Sequence, residues 1–223
     1  MRVFSLPTMP GKKPSPCLPP PFSLSYFLIL SDMTEQVVQQ APVLKRYRFP
    51  VADYHRMAEL QFFPTGQRIE LLNGEIVEMS PINSKHAFAV DQLTEWLVLH
   101  LHDRALIKVQ NPIFLDEFSE PEPDLTVAKR VPGLYRNVHP KPEDILFLIE
   151  VADSSLLKDR TVKLPLYAAA GIPETWIVNL EEECVEIYTE PSAEGYGQVK
   201  VFRKEELIQT AWVKELSVSQ LVS

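Results

Sequence analysis

The amino-acid sequence predicts an α/β fold, a mixed β-sheet flanked by helices. Two apolar runs of strand length, residues 145–151 and 174–180, flank a helical stretch at about 158–170. Such a pattern indicates two parallel strands joined by a right-handed crossover. Two shorter runs with strand character, 184–189 and 197–202, predict antiparallel strands that close the sheet at its C-terminal end.

A β-hairpin is predicted near the N-terminal end of this fold, within residues 68–81. Asn73-Gly74 is the strongest short hairpin signal, because both residues tolerate the backbone angles of a two-residue turn. Such a turn pairs Glu70 with Val77. Glu70 then shares a face with Leu72 and Val77, so we do not expect it to stand free in water.

Three further helices are predicted from apolar residues at helical spacing. One begins near Val51–Asp53, after a short extended piece, and a long one runs from an Asn83 cap to about Arg104. A last helix around 213–221 is only weakly indicated. The apolar stripes are Tyr54, Met57 and Leu60 in the first helix, and His86, Val90, Leu93, Leu97 and Leu101 in the second.

The middle of the chain predicts three more strands and a loop. The strands are expected at 105–110, 112–118 and 123–128, and residues 130–144 form a proline-rich, basic loop.

Length and composition place the folded part in one domain, residues 46–223. A chain of 223 residues with 45% hydrophobic side chains can bury a core of this size. The net charge is −8, and because residues 1–45 carry +2 the remainder carries −10. This acidity argues against a general nucleic-acid coat and against a membrane-surface protein, although a local basic rim is compatible with it.

The cysteine content and the first 45 residues bear on location and processing. Two cysteines make neither a disulfide framework nor a zinc cluster, so a cytoplasmic location is the default. Residues 1–32 hold seven of the 20 prolines and one short apolar run. A signal peptide is the minority interpretation, because no small-x-small cleavage site follows. Residues 1–45 are therefore predicted to be a disordered extension or the product of an upstream start, with Met33 a candidate natural start.

Two carboxylates adjoin apolar strand runs and are the first candidates for chemistry. Asp124 lies in "EPEPDLTV" and Glu150 ends the run "LFLIE". Bringing two unpaired carboxylates together with little water costs several kcal/mol, more than a small domain can spare without compensation. A divalent cation removes this cost, and Mg²⁺ characteristically takes one or two carboxylates, waters and phosphate oxygens.

Phosphoryl chemistry at such an ion also needs a fixed positive charge beside the attacked group. Ala152, two residues after Glu150, cannot supply it, whereas Lys163 on the following connection can reach back toward Glu150. Pro165 requires that the helix kinks there or begins near Leu164. Both alternatives leave Lys163 near the exit of the strand.

The motifs in this order resemble the PD-(D/E)XK nuclease superfamily with a migrated lysine. The stretches "IELLNGEIVEMSP", "EPDL", "LIEVADSS" and "KLPLYAAAGIPETWIV" more closely resemble the Uma-two family of restriction-endonuclease-like proteins. The resemblance covers about residues 46–220. Thr175 departs from the family pattern, where an aromatic or branched residue is usual, and this bears on packing rather than chemistry.

The resemblance implies a restriction-endonuclease-like fold and a set of site residues. It implies Asp124 and Glu150 as metal ligands and Lys163 as the catalytic lysine. Glu70 and His86 match the family pattern and would line the same pocket as further catalytic-site residues.

Structural roles remain open for each of these side chains. Asp124 could cap a turn, Glu150 could pair with a cation such as Lys158 or Arg160, Glu70 could be an exposed hairpin residue, and His86 could be a helix cap. Tyr167 is expected in the core. The basic residues around the predicted site form either a solvated surface or a phosphate-tracking rim: Lys129, Arg130, Arg136, Lys141, Lys158 and Arg160.

The functional hypothesis is a Mg²⁺- or Mn²⁺-dependent endonuclease that hydrolyses DNA phosphodiester bonds, with DNA as its substrate and no membrane partner. The alternative is a catalytically silent binding module of the same fold, acting as a homodimer. A third hypothesis, hydrolysis of a small phosphoester, uses the same site. Fold-level analogy cannot separate the three.

Overall fold

The computed structural model describes residues 45–222. Almost all of the predicted N-terminal extension, residues 1–44, lies outside this range, and the division into extension and domain stays a prediction. None of the helices described between Lys45 and Val222 is long and apolar enough to cross a membrane.

The described part of the chain contains the predicted alternation of helices and strands. In chain order the elements are α1 (Val51–Glu59), β1 (Ile69–Leu72), β2 (Glu75–Glu78), α2 (Ser84–Leu101), β3 (Ala105–Val109), β4 (Leu125–Lys129), β5 (Ile145–Ala152), α3 (Leu156–Lys158), a π-helical turn (Asp159–Lys163), α4 (Leu164–Ala169), β6 (Glu174–Asn179), β7 (Cys184–Ser192), β8 (Gly195–Arg203), β9 (Leu207–Gln209) and β10 (Lys214–Ser217). Two 3₁₀ turns cover Pro142–Asp144 and Val218–Gln220.

Six strands form one mixed sheet in the order β3-β4-β5-β6-β7-β8. β5 and β6 are parallel, as the crossover pattern predicts, and every other neighbouring pair is antiparallel. Strands β5 and β6 are buried along nearly their whole length, which explains their continuous apolar sequences. The predicted fold class is confirmed.

The two faces of the sheet carry separate cores. Leu93 and Leu97 of α2 are fully buried in the larger core, where the ring of Phe147 stacks on Trp176 with centroids 5.4 Å apart. The opposite face packs Leu148 against Tyr167 of α4. Burial on both faces leaves the ends of the strands as the places where polar side chains meet.

The hairpin β1–β2 forms with the predicted register, in which Glu70 is opposite Val77 and Leu72 is opposite Glu75. Asn83 caps α2 as predicted, and its side-chain oxygen accepts the backbone N–H of His86 at 3.0 Å. The short turn at Asn73-Gly74 therefore directs one face of β1 toward the interior.

Three predictions of local structure are wrong. Residues 112–118 form no ladder strand, because the N–H groups of Ile113 and Leu115 bond the carbonyls of Pro121 and Ser119 within a reverse loop. Leu60 is 74% exposed, since α1 ends at Glu59 and the predicted apolar stripe stops there.

The third wrong prediction is the last helix, since residues 213–221 form β10 and a 3₁₀ turn instead. β10 pairs with β9, and the register shifts between Lys214 and Leu216, where Glu215 has a φ of 64°. This bulge interrupts the period of two, so the strand carries no clear sequence signal.

Candidate active site

The ends of β4 and β5 bring the two predicted acids together. Asp124 immediately precedes β4, and Glu150 lies near the end of the antiparallel neighbour β5, where Leu125 pairs with Ile149. The backbone N–H of Val151 donates to Asp124 Oδ2 at 2.9 Å. The sheet register therefore places Asp124 and Glu150 on adjacent strands at the same end of the sheet.

One cleft of about 50 Å³ lies over these strand ends. Four of the five predicted site residues line it, namely Asp124, Glu150, Lys163 and His86. The fifth, Glu70, is bonded to Lys163 in the interior. The cavity has room for a few water molecules, or for an ion with part of its hydration shell.

Glu150 is 3% exposed and makes bonds with two buried side chains. Lys163 Nζ lies 3.1 and 3.2 Å from its two carboxylate oxygens, and the hydroxyl of Tyr167 donates to Oε1 at 2.5 Å. Burial raises the pKa of Glu150 to about 8, against the opposing effect of the Lys163 charge. The negative charges of Asp159, Asp124 and Glu70 raise this pKa further.

Lys163 ends the π-helical turn and is 2% exposed. Its amine contacts Glu70 Oε2 at 3.1 Å, in addition to Glu150. Burial alone would lower the pKa of the amine, but the charges of Glu150 and Glu70 outweigh it, and the net shift is upward. Lys163 is therefore held as an ammonium ion.

Glu70 supports the amine from the hairpin side. Its other oxygen accepts from Lys158 Nζ at 2.9 Å, and Oε2 also accepts the backbone N–H of Glu122 at 3.2 Å. Burial opposes ionisation of Glu70, yet Lys163 and Lys158 lower its pKa overall. Glu70 is thus no exposed hairpin residue but a buried anion between two lysines.

Asp124 is held by two further partners besides the N–H of Val151. His86 Nε2 lies 3.1 Å from Oδ2, and the side-chain amide of Gln110 donates to Oδ1 at 3.2 Å. Burial would raise the pKa of Asp124, but the bond to His86 and the N–H of Val151 lower it. His86 Nδ1 is buried, and no described group hydrogen-bonds to it.

The local backbone explains how Lys163 turns back toward the strand. Pro165 has no N–H to donate to Thr161, and α4 begins at Leu164 with this proline in its first turn. The preceding residues form a π-helical turn, a departure from α geometry that is frequent at functional sites. This turn faces both Asp159 and Lys163 inward.

Sequence reasoning missed two members of the cluster. Asp159 is 2% exposed and accepts the hydroxyl of Ser155 at 2.6 Å, while burial raises its pKa. Its spacing of four residues from Lys163 was the available signal. Tyr167 is in the core as expected, but its hydroxyl also holds Glu150.

The two basic residues considered as partners of Glu150 bind other carboxylates, and the six basic residues do not form one rim around the cleft. Lys158 pairs with Glu70 and Arg160 pairs with Glu186, so neither neutralises Glu150. Of the six basic residues, only Lys158 lines this cleft, and Arg136 and Lys141 line a separate one.

The balance of buried charge bears on whether a cation fits. Among the described residues, four buried carboxylates surround a single buried lysine, Lys163. The four are Glu70, Asp124, Glu150 and Asp159. Oxygen donors of this kind suit hard divalent cations such as Mg²⁺ and Mn²⁺. Within residues 45–222 no group of three or more His, Cys, Asp or Glu side chains has metal-binding geometry. An ion here would therefore rely on Asp124, Glu150 and water.

Comparisons with known proteins agree with this fold. A solved structure described as a putative nuclease belonging to DUF820 from Anabaena variabilis ATCC 29413 superposes with a TM-score of 0.59. The two share 17% sequence identity over 74% of this chain and 96% of that chain, which shows a common fold. A comparison with curated proteins finds no match. The sequence profile of the Uma2 family, described as putative restriction endonuclease, matches residues 51–219 of this chain. The chain therefore belongs to the Uma2 family.

Proposed function

We propose that this protein is a metal-dependent endonuclease that hydrolyses phosphodiester bonds of DNA. The family and the similarity to a nuclease fold support the nuclease class. The observation that carries the proposal is the convergence of Asp124, Glu150 and the Lys163 amine at one cleft, with Nζ 3.1 Å from Glu150.

Asp124 and Glu150 are the residues that would hold Mg²⁺ or Mn²⁺. When bound, such an ion polarises the phosphoryl oxygen and lowers the pKa of a ligand water. Four buried carboxyl groups face one buried lysine, and burial raises the pKa of two of them, Glu150 and Asp159. A divalent cation would stabilise their ionised forms, so the donor set fits such an ion.

Lys163 supplies a fixed positive charge and does not act as a general base, because its acidic neighbours keep the amine protonated. Its ammonium would stabilise charge that develops on the phosphate oxygens in the transition state. Glu70 holds this ammonium from behind, and His86 holds the Asp124 carboxylate in place through Nε2. Both are positioning residues in this scheme.

Plasmid cleavage with substituted proteins tests the proposal. We expect the native chain to cut supercoiled plasmid with Mg²⁺ or Mn²⁺ and not in EDTA. Asp124→Asn and Lys163→Met should each lower the rate by about 100-fold or more, the usual effect of removing one stabilising group. Lys204→Met is the matched control, since Lys204 pairs with Glu183 outside the cleft.

Cleavage that survives both Asp124→Asn and Lys163→Met would contradict the proposal and indicate a contaminating nuclease. Thermal unfolding of each variant separates loss of chemistry from loss of the fold. Asp124→Asn keeps the shape of the side chain, so it remains informative if Lys163→Met unfolds.

One observation favours the second candidate, a catalytically silent binding module. Lys163 bonds both Glu70 and Glu150, so two of the four buried acids already have a cation as partner. Titration calorimetry with Mn²⁺ separates the two functions. The module predicts no heat of metal binding in the native chain, whereas the nuclease predicts binding that Asp124→Asn abolishes.

A further inference from the structure

A second and larger cleft lies away from the strand ends that carry Asp124 and Glu150. Its volume is about 880 Å³, and it shares no lining residue with the smaller cleft. The start of α1, the reverse loop at 111–120 and the basic loop at 130–144 form its walls. Small-molecule sites commonly have volumes of about 300–1,000 Å³, so this cleft is of ligand size.

The lining of this cleft carries three cations that have no ion partner among the described residues. Lys108, Arg136 and Lys141 line it, and none of them pairs with a carboxylate within the described range 45–222. Burial lowers the pKa of Lys108, which an adjacent anion would reverse. Glu117 and Glu120 also line the cleft, so its three cations leave an excess of positive charge there in a chain of net charge −8. This local excess indicates an anionic ligand.

One oxygen of a buried carboxylate at the same cleft has no hydrogen-bond donor among the described residues. Glu120 is 4% exposed, and its Oε1 lies 2.6 Å from His55 Nε2. Its Oε2 is buried, and no described group hydrogen-bonds to it. A buried carboxylate oxygen needs a donor, so the ligand is expected to present an N–H group there.

Aromatic rings and a strained loop complete the cleft. Phe114 and Tyr135 both line it, and Lys141 Nζ lies 6.0 Å from the ring centroid of Phe114. Leu134 and Tyr135 have φ values of 48° and 58°, which are unfavourable for such side chains. Strain of this kind persists mainly at ligand clamps and active sites. The loop thereby presents Tyr135 and Arg136 to the cavity.

We propose that this cleft binds a nucleoside phosphate whose base carries an exocyclic amino group. The phosphate would contact Arg136, Lys108 and Lys141, because guanidinium and ammonium groups complement phosphate oxygens. The base would stack on the aromatic rings, and its amino group would donate to Glu120 Oε2. The nucleotide is either free or part of a nucleic acid strand. This site goes beyond the nuclease proposal and does not depend on it.

Calorimetry with dCMP and dUMP tests the site, since the two bases differ at C4 by an amino group against a carbonyl. The titrations use the full chain in EDTA, so that metal-bridged phosphate at Asp124 and Glu150 cannot contribute. We expect saturable binding of dCMP and about tenfold weaker binding of dUMP. A deoxycytidine tetranucleotide forms a third arm, and its affinity relative to dCMP tells whether the ligand belongs to a strand.

Substitutions assign the binding to this cleft. Arg136→Ala should raise the Kd of dCMP by about tenfold, whereas Arg104→Ala, an exposed arginine outside the cleft, should leave it unchanged. In Glu120→Gln an amide NH₂ replaces Oε2, while the remaining oxygen keeps its bond to His55. The new donor suits the C4 carbonyl of uracil, so the binding preference should shift from dCMP toward dUMP. If Glu120→Gln does not fold, Arg136→Ala still decides, because Arg136 is exposed.

Three results would overturn the proposal. These are no saturable binding of either dCMP or the tetranucleotide, equal affinity of the native chain for dCMP and dUMP, and a Kd that Arg136→Ala leaves unchanged. Lys163→Met should abolish plasmid cleavage and leave the Kd of dCMP unchanged. The two measurements therefore test the two proposals separately.

Discussion

Lys163 is the side chain on which the charge balance of the small cleft depends. It is 2% exposed and contacts both Glu70 and Glu150, while Asp124 and Asp159 add negative charge nearby. Removing one partner of a buried ion pair typically costs about 3–5 kcal/mol, since the remaining charge has no compensation. The same amine that would act on phosphate therefore also stabilises the folded chain.

Tyr167→Phe is expected to weaken divalent metal binding without unfolding the protein. The change removes the hydroxyl that donates to Glu150 Oε1 at 2.5 Å and leaves the ring in the core. Loss of such an orienting bond lowers metal affinity by about 10–100-fold, and stability by about 1.5–3 kcal/mol. Mn²⁺ titration calorimetry and urea unfolding measure the two effects.

The control for Tyr167→Phe is Tyr188→Phe, which removes a Tyr-to-Glu hydrogen bond at Glu186. It should lower stability and leave Mn²⁺ affinity unchanged. Equal Mn²⁺ affinity in native protein and Tyr167→Phe would show that Glu150 needs no orientation by this hydroxyl.

At the scale of elements, short turns position the buried charges. The hairpin turn at Asn73-Gly74 sets the register that buries Glu70, and the π-helical turn presents Lys163 to it. Each turn is formed by residues that are neighbours in sequence. Together the two turns bring Glu70 and Lys163, which are far apart along the chain, into contact.

Gly74→Ala is expected to destabilise the hairpin by about 2 kcal/mol or more. Gly74 has a φ of +79°, and an added Cβ would lie 2.5 Å from Arg48 Cβ and 2.9 Å from its Cα. Positive φ alone costs an L residue about 1–2 kcal/mol, and the backbone clash adds to it. Chemical denaturation of the variant measures the change.

Gly66→Ala provides the matched control, because Gly66 has a φ of +83° and nothing within 4 Å of an added Cβ. It should show only the cost of the positive φ, about 1–2 kcal/mol, without the added cost of a clash. Equal losses in the two variants would mean that Arg48 moves aside at no cost.

Glu186→Gln is expected to remove a pH-dependent part of the stability. Glu186 on β7 bonds Arg160 of the π-helical turn, Tyr188 and Asn179. Burial would raise the pKa of Glu186, but these bonds lower it below the ordinary glutamate value of 4.5. The ionised form thus contributes stability that is present above pH 4.5 and is lost as pH falls through the lower folded pKa.

Urea unfolding at pH 7 and at successively lower pH tests the Glu186 prediction. The native chain should be more stable than Glu186→Gln by about 1–2 kcal/mol at pH 7. The difference should shrink toward pH 3, where the glutamate approaches neutrality. A difference independent of pH would contradict the assigned shift.

At the scale of the whole molecule, residues 45–222 carry a core on each face of one mixed sheet. The buried hydrophobic residues of this range begin at Val51 and continue to Val222. Both clefts lie within the same unit, which starts at Tyr47.

A chain shortened to residues 46–223 is expected to keep its thermal midpoint within about 2 °C of the full chain. The reason is that the buried hydrophobic residues of the described range begin at Val51, where the match to the family profile also begins. Because about 1 kcal/mol shifts the midpoint of a chain of this size by about 2–4 °C, calorimetry resolves any larger contribution. A fall of more than about 5 °C would show that the predicted domain boundary at 45/46 is misplaced.

Much of this architecture was predictable from local sequence. The Asn73-Gly74 turn dictates the β1–β2 register, and the apolar runs before Glu150 and after Pro173 predict the parallel pair β5–β6. The strand β10 was not predictable, because the bulge at Glu215 hides its alternation. The reverse loop at 112–118 was mistaken for a strand, since apolar alternation alone does not reveal which carbonyls its N–H groups reach.

By itself, the sequence determined that Asp124 and Glu150 end up at strand ends and that a lysine follows on the next connection. Periodicity and turn chemistry depend on near neighbours, so they can be read directly from the chain. Only the tertiary structure decided that Lys163 lies between Glu70 and Glu150, that Tyr167 and Asp159 join them, and that a second cleft forms at Glu120. Those contacts join residues far apart in sequence, and their geometry follows from how the packed elements fit, which no local pattern encodes.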